Sequence, residues 1–252
     1  MSDRPQHLDY LLADWPYEFG EVIARIVPGV DGREVLQLRV EMGVLQMEVS
    51  GRPDGSRPGG HSTCLDWLHA LMVEEGDDFA LDGRRCLEID REFVQFFHRR
   101  VAWLALRRFD RAIADADHTL ALMDFSSAHA PDVDWAEMHE QYRPFVLFHR
   151  TQAAALRELE GDGPQAAVVE IDAGVEAIRQ ALRAADDEEL SEEDLDSDEL
   201  VVKLQEMKTA ITDQYHVEPS LREQLAAAIA AEQYERAAQL RDQIGRRSHH
   251  RE

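Results

Sequence analysis

The apolar residues of this chain change period once, from two to about 3.6, and that change separates a strand-forming start from a helix-forming remainder. Between Glu21 and Ser50 the series Val22, Ala24, Ile26 comes first, then Leu36, Leu38 and Val40 alternating with Val35, Gln37 and Arg39. Leu45, Met47 and Val49 then alternate with Val44, Gln46 and Glu48. The pattern predicts a three-stranded antiparallel β-meander with turns at Pro28, Gly29, Asp31 and Gly32 and at Gly43, closed by the breaker-rich stretch 51–60. Thr63, three residues before Asp66, predicts a capped helix through Leu65, Leu68, Leu71 and Met72 that Gly76 stops. From Arg91 the period is helical to the end of the chain. The expected fold class is therefore α+β. We expect a meander-plus-helix module over residues 1–90, a helical domain over 91–185, an acidic linker over 186–199, and a helical stem with a terminal hairpin over 200–252.

A chain of 252 residues can bury a core without disulfides or metals. Its formal net charge of −24 repels phosphate backbones and anionic membranes, which opposes direct nucleic-acid binding by the chain as a whole. Nowhere does an uncharged apolar run approach the roughly 20 residues of a membrane-spanning helix. The opening MSDRPQHLDYLLADWP has neither a basic start with an apolar core nor a small-residue cleavage site, so the expected location is the cytoplasm. Cys64 and Cys86 stand far apart and outside any C-x-x-C pattern, which fits a reducing compartment and gives no cysteine-based zinc site. No H-E-x-x-H, phosphate loop or dinucleotide fingerprint occurs, and neither a metal nor a cofactor is expected.

In the helical region, FHRRVAWLALRRFDRAIADADHTLALMD (Phe97 to Asp124) places Ala102, Trp103, Leu106, Phe109, Ala112 and Leu120 at the packing positions of two antiparallel helices. This segment resembles a tetratricopeptide repeat, in which FDRAIADAD would open the second helix. Arg100 and Arg107 stand where that repeat prefers Gly, and Asp124 where it prefers Pro. About fifty residues on, Phe148-His149-Arg150 repeats Phe97-His98-Arg99, and Ala153 to Leu159 with Ala166 to Ile178 form a second pair. Two such units are fewer than a solenoid needs, so another element must cover an exposed end. The insert between the pairs predicts a helix from Asp134 with Trp135, Met138 and Tyr142 on one stripe, restarted at Pro144. The run DDEELSEEDLDSDE, residues 186–199, is mostly carboxylate and is expected to stay extended and solvated. Leu200, Leu204, Met207 and Ile211 then make a helical stem.

The segment LREQLAAAIAAEQYERAAQLRDQIGRR, Leu221 to Arg247, predicts a compact helical hairpin. Leu221, Leu225 and Ile229 recur at four-residue steps, and Tyr234, Ala237, Ala238, Leu240, Arg241 and Ile244 supply the facing helix. The string Glu232, Tyr234, Glu235, Ala237, Ala238, Leu240, Arg241, Asp242 and Ile244 is denser than helical spacing demands. It resembles the UVR motif, the hairpin shared by the excision-repair proteins UvrB and UvrC, Clp-type chaperone ATPases and the activator of a bacterial protein-arginine kinase. The resemblance implies protein–protein docking without catalysis, with a second hairpin, of a partner or of another copy, covering the open face. Glu235, Arg241 and Asp242 would then form a charged rim, with Leu225, Ile229 and Leu240 as the apolar centre. The bland reading is a hairpin that folds back on its own helical body.

Other constellations carry structural readings beside functional ones. Gly59, Gly60, His61 and Cys64 form either a nucleophile loop or a breaker loop with a helix cap and a small buried thiol. His98 and His149 are either helix-packing histidines or ligands; Asp115, Asp117 and Asp172 read as solvated helix faces. Phe93, Phe96, Phe97, Trp103, Phe145 and Phe148 are core residues or, in the sharper reading, a peptide groove. Arg99-Arg100 and Arg107-Arg108 suggest a basic patch able to receive an acidic peptide, including residues 186–199 themselves. An enzyme site in the meander would have to use Arg39, Glu41 and Glu48. The favoured reading is a non-enzymatic adaptor or regulatory protein, with accessory roles in excision repair or Clp-type quality control as runners-up.

Overall fold

The computed structural model describes residues 7–185, 190–219 and 221–248. After a short helix α1 (Asp9–Asp14), strands β1 (Ile23–Pro28), β2 (Glu34–Val40) and β3 (Gly43–Glu48) form an antiparallel sheet in sequence order. Ile26 pairs with Leu36 and Leu36 with Met47, while Ala24 pairs with Leu38 and Leu38 with Leu45. These residues therefore share one face, and it is the face that meets the helices. On the other face Arg25 Nε donates to Gln37 Oε1 at 2.9 Å and Gln37 Nε2 donates to Gln46 Oε1 at 3.0 Å. The Arg25 guanidinium lies 4.0 Å from the Trp15 ring centre, so the segment after α1 covers this polar ladder.

Helix α2 (Cys64–Glu75) starts at Thr63, whose hydroxyl accepts from the Asp66 amide at 3.1 Å. Its first amides also meet a buried carboxylate from the next helix: Glu92 accepts from the backbone N–H of Cys64 at 2.6 Å and of Leu65 at 3.3 Å. The same carboxylate lies 2.9 Å from His118 Nε2 and 3.6 Å from Arg52 Nε. Charge and hydrogen bonds thus compensate its burial. In the preceding loop Gly59 has φ 55°, and a Cβ there would fall 2.2 Å from Trp67 Cδ1, so Trp67 closes over a position only glycine can fill.

The remaining helices are α3 (Gly83–Ala105), α4 (Phe109–His129), α5 (Val133–Glu140), α6 (Arg143–Glu160), α7 (Pro164–Ala185), α8 (Glu192–Ser197), α9 (Glu199–Tyr215), α10 (Leu221–Ala230) and α11 (Tyr234–Ser248). α3 packs on α4, α4 on α6 and α6 on α7. The second helix of the first pair does open at Phe109, and Pro144 does stand in the first turn of α6. α5 starts one residue earlier than expected, because the Asp132 carboxylate accepts from the Trp135 amide at 2.8 Å. Leu36, Leu38 and Met47 of the sheet share one core with Ala102, Trp103, Phe109, Ala112, Ile113, Ala153 and Ala154. The sheet thus buries a surface made by α3, α4 and α6. The division expected at residue 90 falls inside α3; the compact units are residues 1–206 and 207–252, and α9 runs through the division.

The acidic stretch departs from expectation. Among its described residues, Ser191 and Asp194 form a reciprocal capping box, α8 follows, and Leu195 is 1% exposed. Arg183 of α7 pairs with Glu192 at 2.8 Å, and Arg179 pairs with Asp196. One apolar anchor and two arginines offset the self-repulsion that the composition alone implies. Residues 186–189 lie outside the described residues.

Candidate functional site

In the C-terminal unit, α10 and α11 are joined by a turn of defined chemistry. The Gln233 amide donates to Ala228 O at 2.8 Å and the Glu232 amide to Ile229 O at 3.0 Å, while Glu232 has φ 56°. This is the Schellman arrangement, with Glu at the left-handed position where Gly is usual. The Gln233 carbonyl then accepts from the Ala237 amide at 2.9 Å and starts α11.

Among the described residues the hairpin's own core is Ala228, Ala237 and Leu240, with Leu225 packed against them. Alanines at 228 and 237 let the two backbones approach, and Leu225 and Leu240 fill the space above. Leu240, expected at the apolar centre of a docking face, is 6% exposed and belongs to this internal core. Ala228 was not among the expected facing residues, although its spacing of three from Leu225 places it on the same side of α10. Ile229 is 54% exposed and Tyr234 is 69% exposed. Glu232, Glu235, Ala238, Arg241 and Asp242 are exposed as well. The expected residues therefore divide into an inner set, Leu225, Ala237 and Leu240, and an outer set, Ile229, Glu232, Tyr234, Glu235, Ala238, Arg241 and Asp242. The side chains of Leu221 and Ile244 lie outside the described residues.

Residues 219–246 match the family model for UVR, the UvrB/uvrC motif. The terminal hairpin is a UVR motif. The match spans the Pro219 entry, α10, the Glu232 turn and α11 as far as residue 246, which places the exposed Ile229 and Tyr234 within the motif. No curated protein and no solved structure matches the chain. A UVR motif is a docking element and supplies no catalytic group. Among the described residues no helix is long and apolar enough to cross a membrane.

The other constellations resolve into structure. Cys64 is fully buried at the start of α2, and burial pushes its thiol up to about 12, the reverse of an activated nucleophile. Arg99 and Arg100 are buried, so no surface patch forms around them. Arg99 makes a two-point pair with Asp115, at 2.9 and 2.7 Å, and donates to the carbonyls of Glu48 and Gly51 at 3.1 and 2.7 Å. It ties the α3–α4 pair to the end of β3. Arg107 is taken by Glu160 at 2.5 Å, and Asp117 by Arg150 at 2.5 Å. His149 is buried and its Nδ1 accepts from Arg100 Nε at 3.3 Å; burial, and the Arg100 charge after it, hold its pKa down to about 4. Burial also lowers the pKa of His98. In the meander, Arg39 is buried and donates to Trp15 O and Gly43 O at 2.8 and 2.9 Å, while Glu48 accepts from Arg33 at 2.7 Å. Arg39 and Glu48 are thus engaged at opposite ends of one sheet face, and Arg39 meets Glu41 at its backbone carbonyl, 3.4 Å away. Trp103 and Phe96 are core, whereas Phe93, Phe97 and Phe145 border a cavity of about 750 Å³.

Proposed function

We propose that this protein is a non-enzymatic adaptor whose UVR hairpin docks onto another protein through the face that carries Ile229 and Tyr234. The observation that supports this reading is the separation of the motif into an inner set that holds the hairpin together and an outer set that keeps two large apolar side chains in solvent. An interface takes most of its energy from a few such anchors and its specificity from the charges around them. Glu232, Glu235, Arg241 and Asp242 are those charges. Among the described residues the hairpin's internal core is two leucines and two alanines, and a unit of under 40 residues is seldom stable alone, which favours coverage by a partner. The favoured occupant is a second UVR hairpin on another protein, as the UvrB, UvrC and Clp settings of the motif suggest.

The test is affinity capture with the full chain followed by mass spectrometry. Ile229→Asp with Tyr234→Ala should lose the partner while circular dichroism shows unchanged helix content. Leu240→Asp should lose both partner and hairpin structure. Retention of the same partner by the Ile229→Asp, Tyr234→Ala chain would refute docking through this face.

A further inference from the structure

The charge arithmetic of the buried arginines leaves one of them unanswered. Arg99 and Arg100 are adjacent in α3 and both buried, but Asp115, the carboxylate facing them from α4, is held at two points by Arg99. Arg100, 1% exposed, donates through Nη1 to the Thr119 hydroxyl at 3.0 Å and through Nε to His149 Nδ1 at 3.3 Å. Both partners are neutral, His149 because its pKa lies far below 7. Among the described residues no carboxylate lies within 4.0 Å of Arg100, and none accepts a hydrogen bond from its Nη2. The Asp115 charge reaches Arg100 only from beyond contact, and a guanidinium out of water without a carboxylate in contact is costly unless a counter-ion completes the site.

Arg100 and Thr119 line the cavity of about 750 Å³ bounded by α3, α4, α5 and the start of α6. Its walls are otherwise largely apolar, including Phe93, Phe97, Met123 and Phe145, with Val94 and Met138 exposed. Asp90, the carboxylate among the lining residues, is not in contact with Arg100; its Oδ1 lies 2.9 Å from His139 Nε2 but has no hydrogen-bond partner among the described residues. Cavities of this size with an apolar wall and few convergent polar groups are the usual form of a small-molecule site.

We propose that this cavity binds a monocarboxylate with an apolar body, its carboxylate paired with Arg100 and Thr119 and its chain or ring against Phe93, Phe97 and Phe145. A single unanswered positive charge matches a single negative one, and a planar guanidinium with a free edge receives a carboxylate in two-point geometry. The apolar body accounts for the rest of the lining. The site lies within the N-terminal unit.

The experiment is isothermal titration calorimetry on the full chain after hydrophobic-resin extraction, with sodium dodecanoate and 4-phenylbutyrate as probes and dodecan-1-ol and dodecyltrimethylammonium as controls. At least one carboxylate should bind with Kd below about 100 µM, and the alcohol and the cation at least tenfold more weakly. Val94→Glu, an exposed change on α3 at a cavity-lining position, should weaken carboxylate binding at least tenfold without altering Tm. Arg100→Met, where it folds, should bring dodecanoate down to the affinity of dodecan-1-ol. Failure of both carboxylates to bind, equal binding of acid and alcohol, or binding indifferent to Val94→Glu would overturn the proposal, as would capture of an apolar peptide in their place.

Discussion

Among the described residues three with side chains occupy backbone positions that favour glycine: Arg107 (φ 54°), His216 (φ 52°) and Glu232 (φ 56°). Each ends a helix with the same return bond, from the Arg108 amide to Trp103 O, the Val217 amide to Thr212 O and the Gln233 amide to Ala228 O. The left-handed conformation costs a side-chain-bearing residue about 1–2 kcal/mol. Arg107→Gly should therefore raise stability by about 0.5–1 kcal/mol, net of glycine's chain entropy and of the exposed pair with Glu160. Urea denaturation checks this, and a loss of stability would show that Arg107 holds its turn through its side chain. A pH effect belongs to His149. Its folded pKa, about 4, is below the unfolded value near 6.5, so the unfolded chain takes up a proton first as pH falls. The stability from neutral His149 is present above about pH 6.5 and is lost between 6.5 and 4, reaching about 2 kcal/mol by pH 5. His149→Gln should flatten that part of the stability–pH curve, and an unchanged slope would contradict the assignment. The positive-φ positions could be suspected in the sequence where Arg107 stands at an expected glycine. The burial of Arg99 and Arg100 could not, because an Arg-Arg pair on a helix looks solvated until Asp115 and the carbonyls of Glu48 and Gly51 are brought to it by the fold.

Two tertiary arrangements dominate at the scale of elements. α6 and α7 approach so closely that a Cβ at Gly174 would lie 2.1 Å from Thr151 Oγ1. Gly174→Ala should cost about 1–3 kcal/mol by overpacking, and Thr151→Ala in the same chain should recover most of it. A simple sum of the two single effects in a double-mutant cycle would show that the two positions do not share the contact. The start of α2 depends on the buried Glu92 carboxylate, and Glu92→Ala should cost about 3–5 kcal/mol because two amides lose their acceptor, His118 loses its carboxylate partner and Arg52 keeps only Glu88 and Asp54. Thermal melts measure it; a loss under about 1 kcal/mol would mean that Thr63 alone suffices as cap. The strands and the opening of α4 were legible because periodicity and turn residues are local signals. Glu92 as a cap was not, since it comes from 28 positions away. Nor was α8, whose single apolar anchor Leu195 is outvoted in composition by its carboxylates.

The whole molecule is a sheet-covered helical body of residues 1–206 and a second unit that ends in a UVR hairpin. The hairpin was readable because its Glu, Ala-Ala, Leu and Arg-Asp string is dense over a short span. What the string could not reveal is which side each residue faces: Leu240 turns inward, while Ile229 and Tyr234 turn outward. The proposed docking rests on that division, since only outward residues can reach another protein. A photo-cross-linking amino acid placed at position 229 of the full chain in its native cells tests this directly, with position 73, exposed on α2, as the control. The docking account predicts an adduct with a second protein, a partner or another copy of this chain, at position 229 and none of that species at position 73. An adduct within the same chain, or the same products from both positions, would contradict it and make the hairpin a packing element of its own molecule.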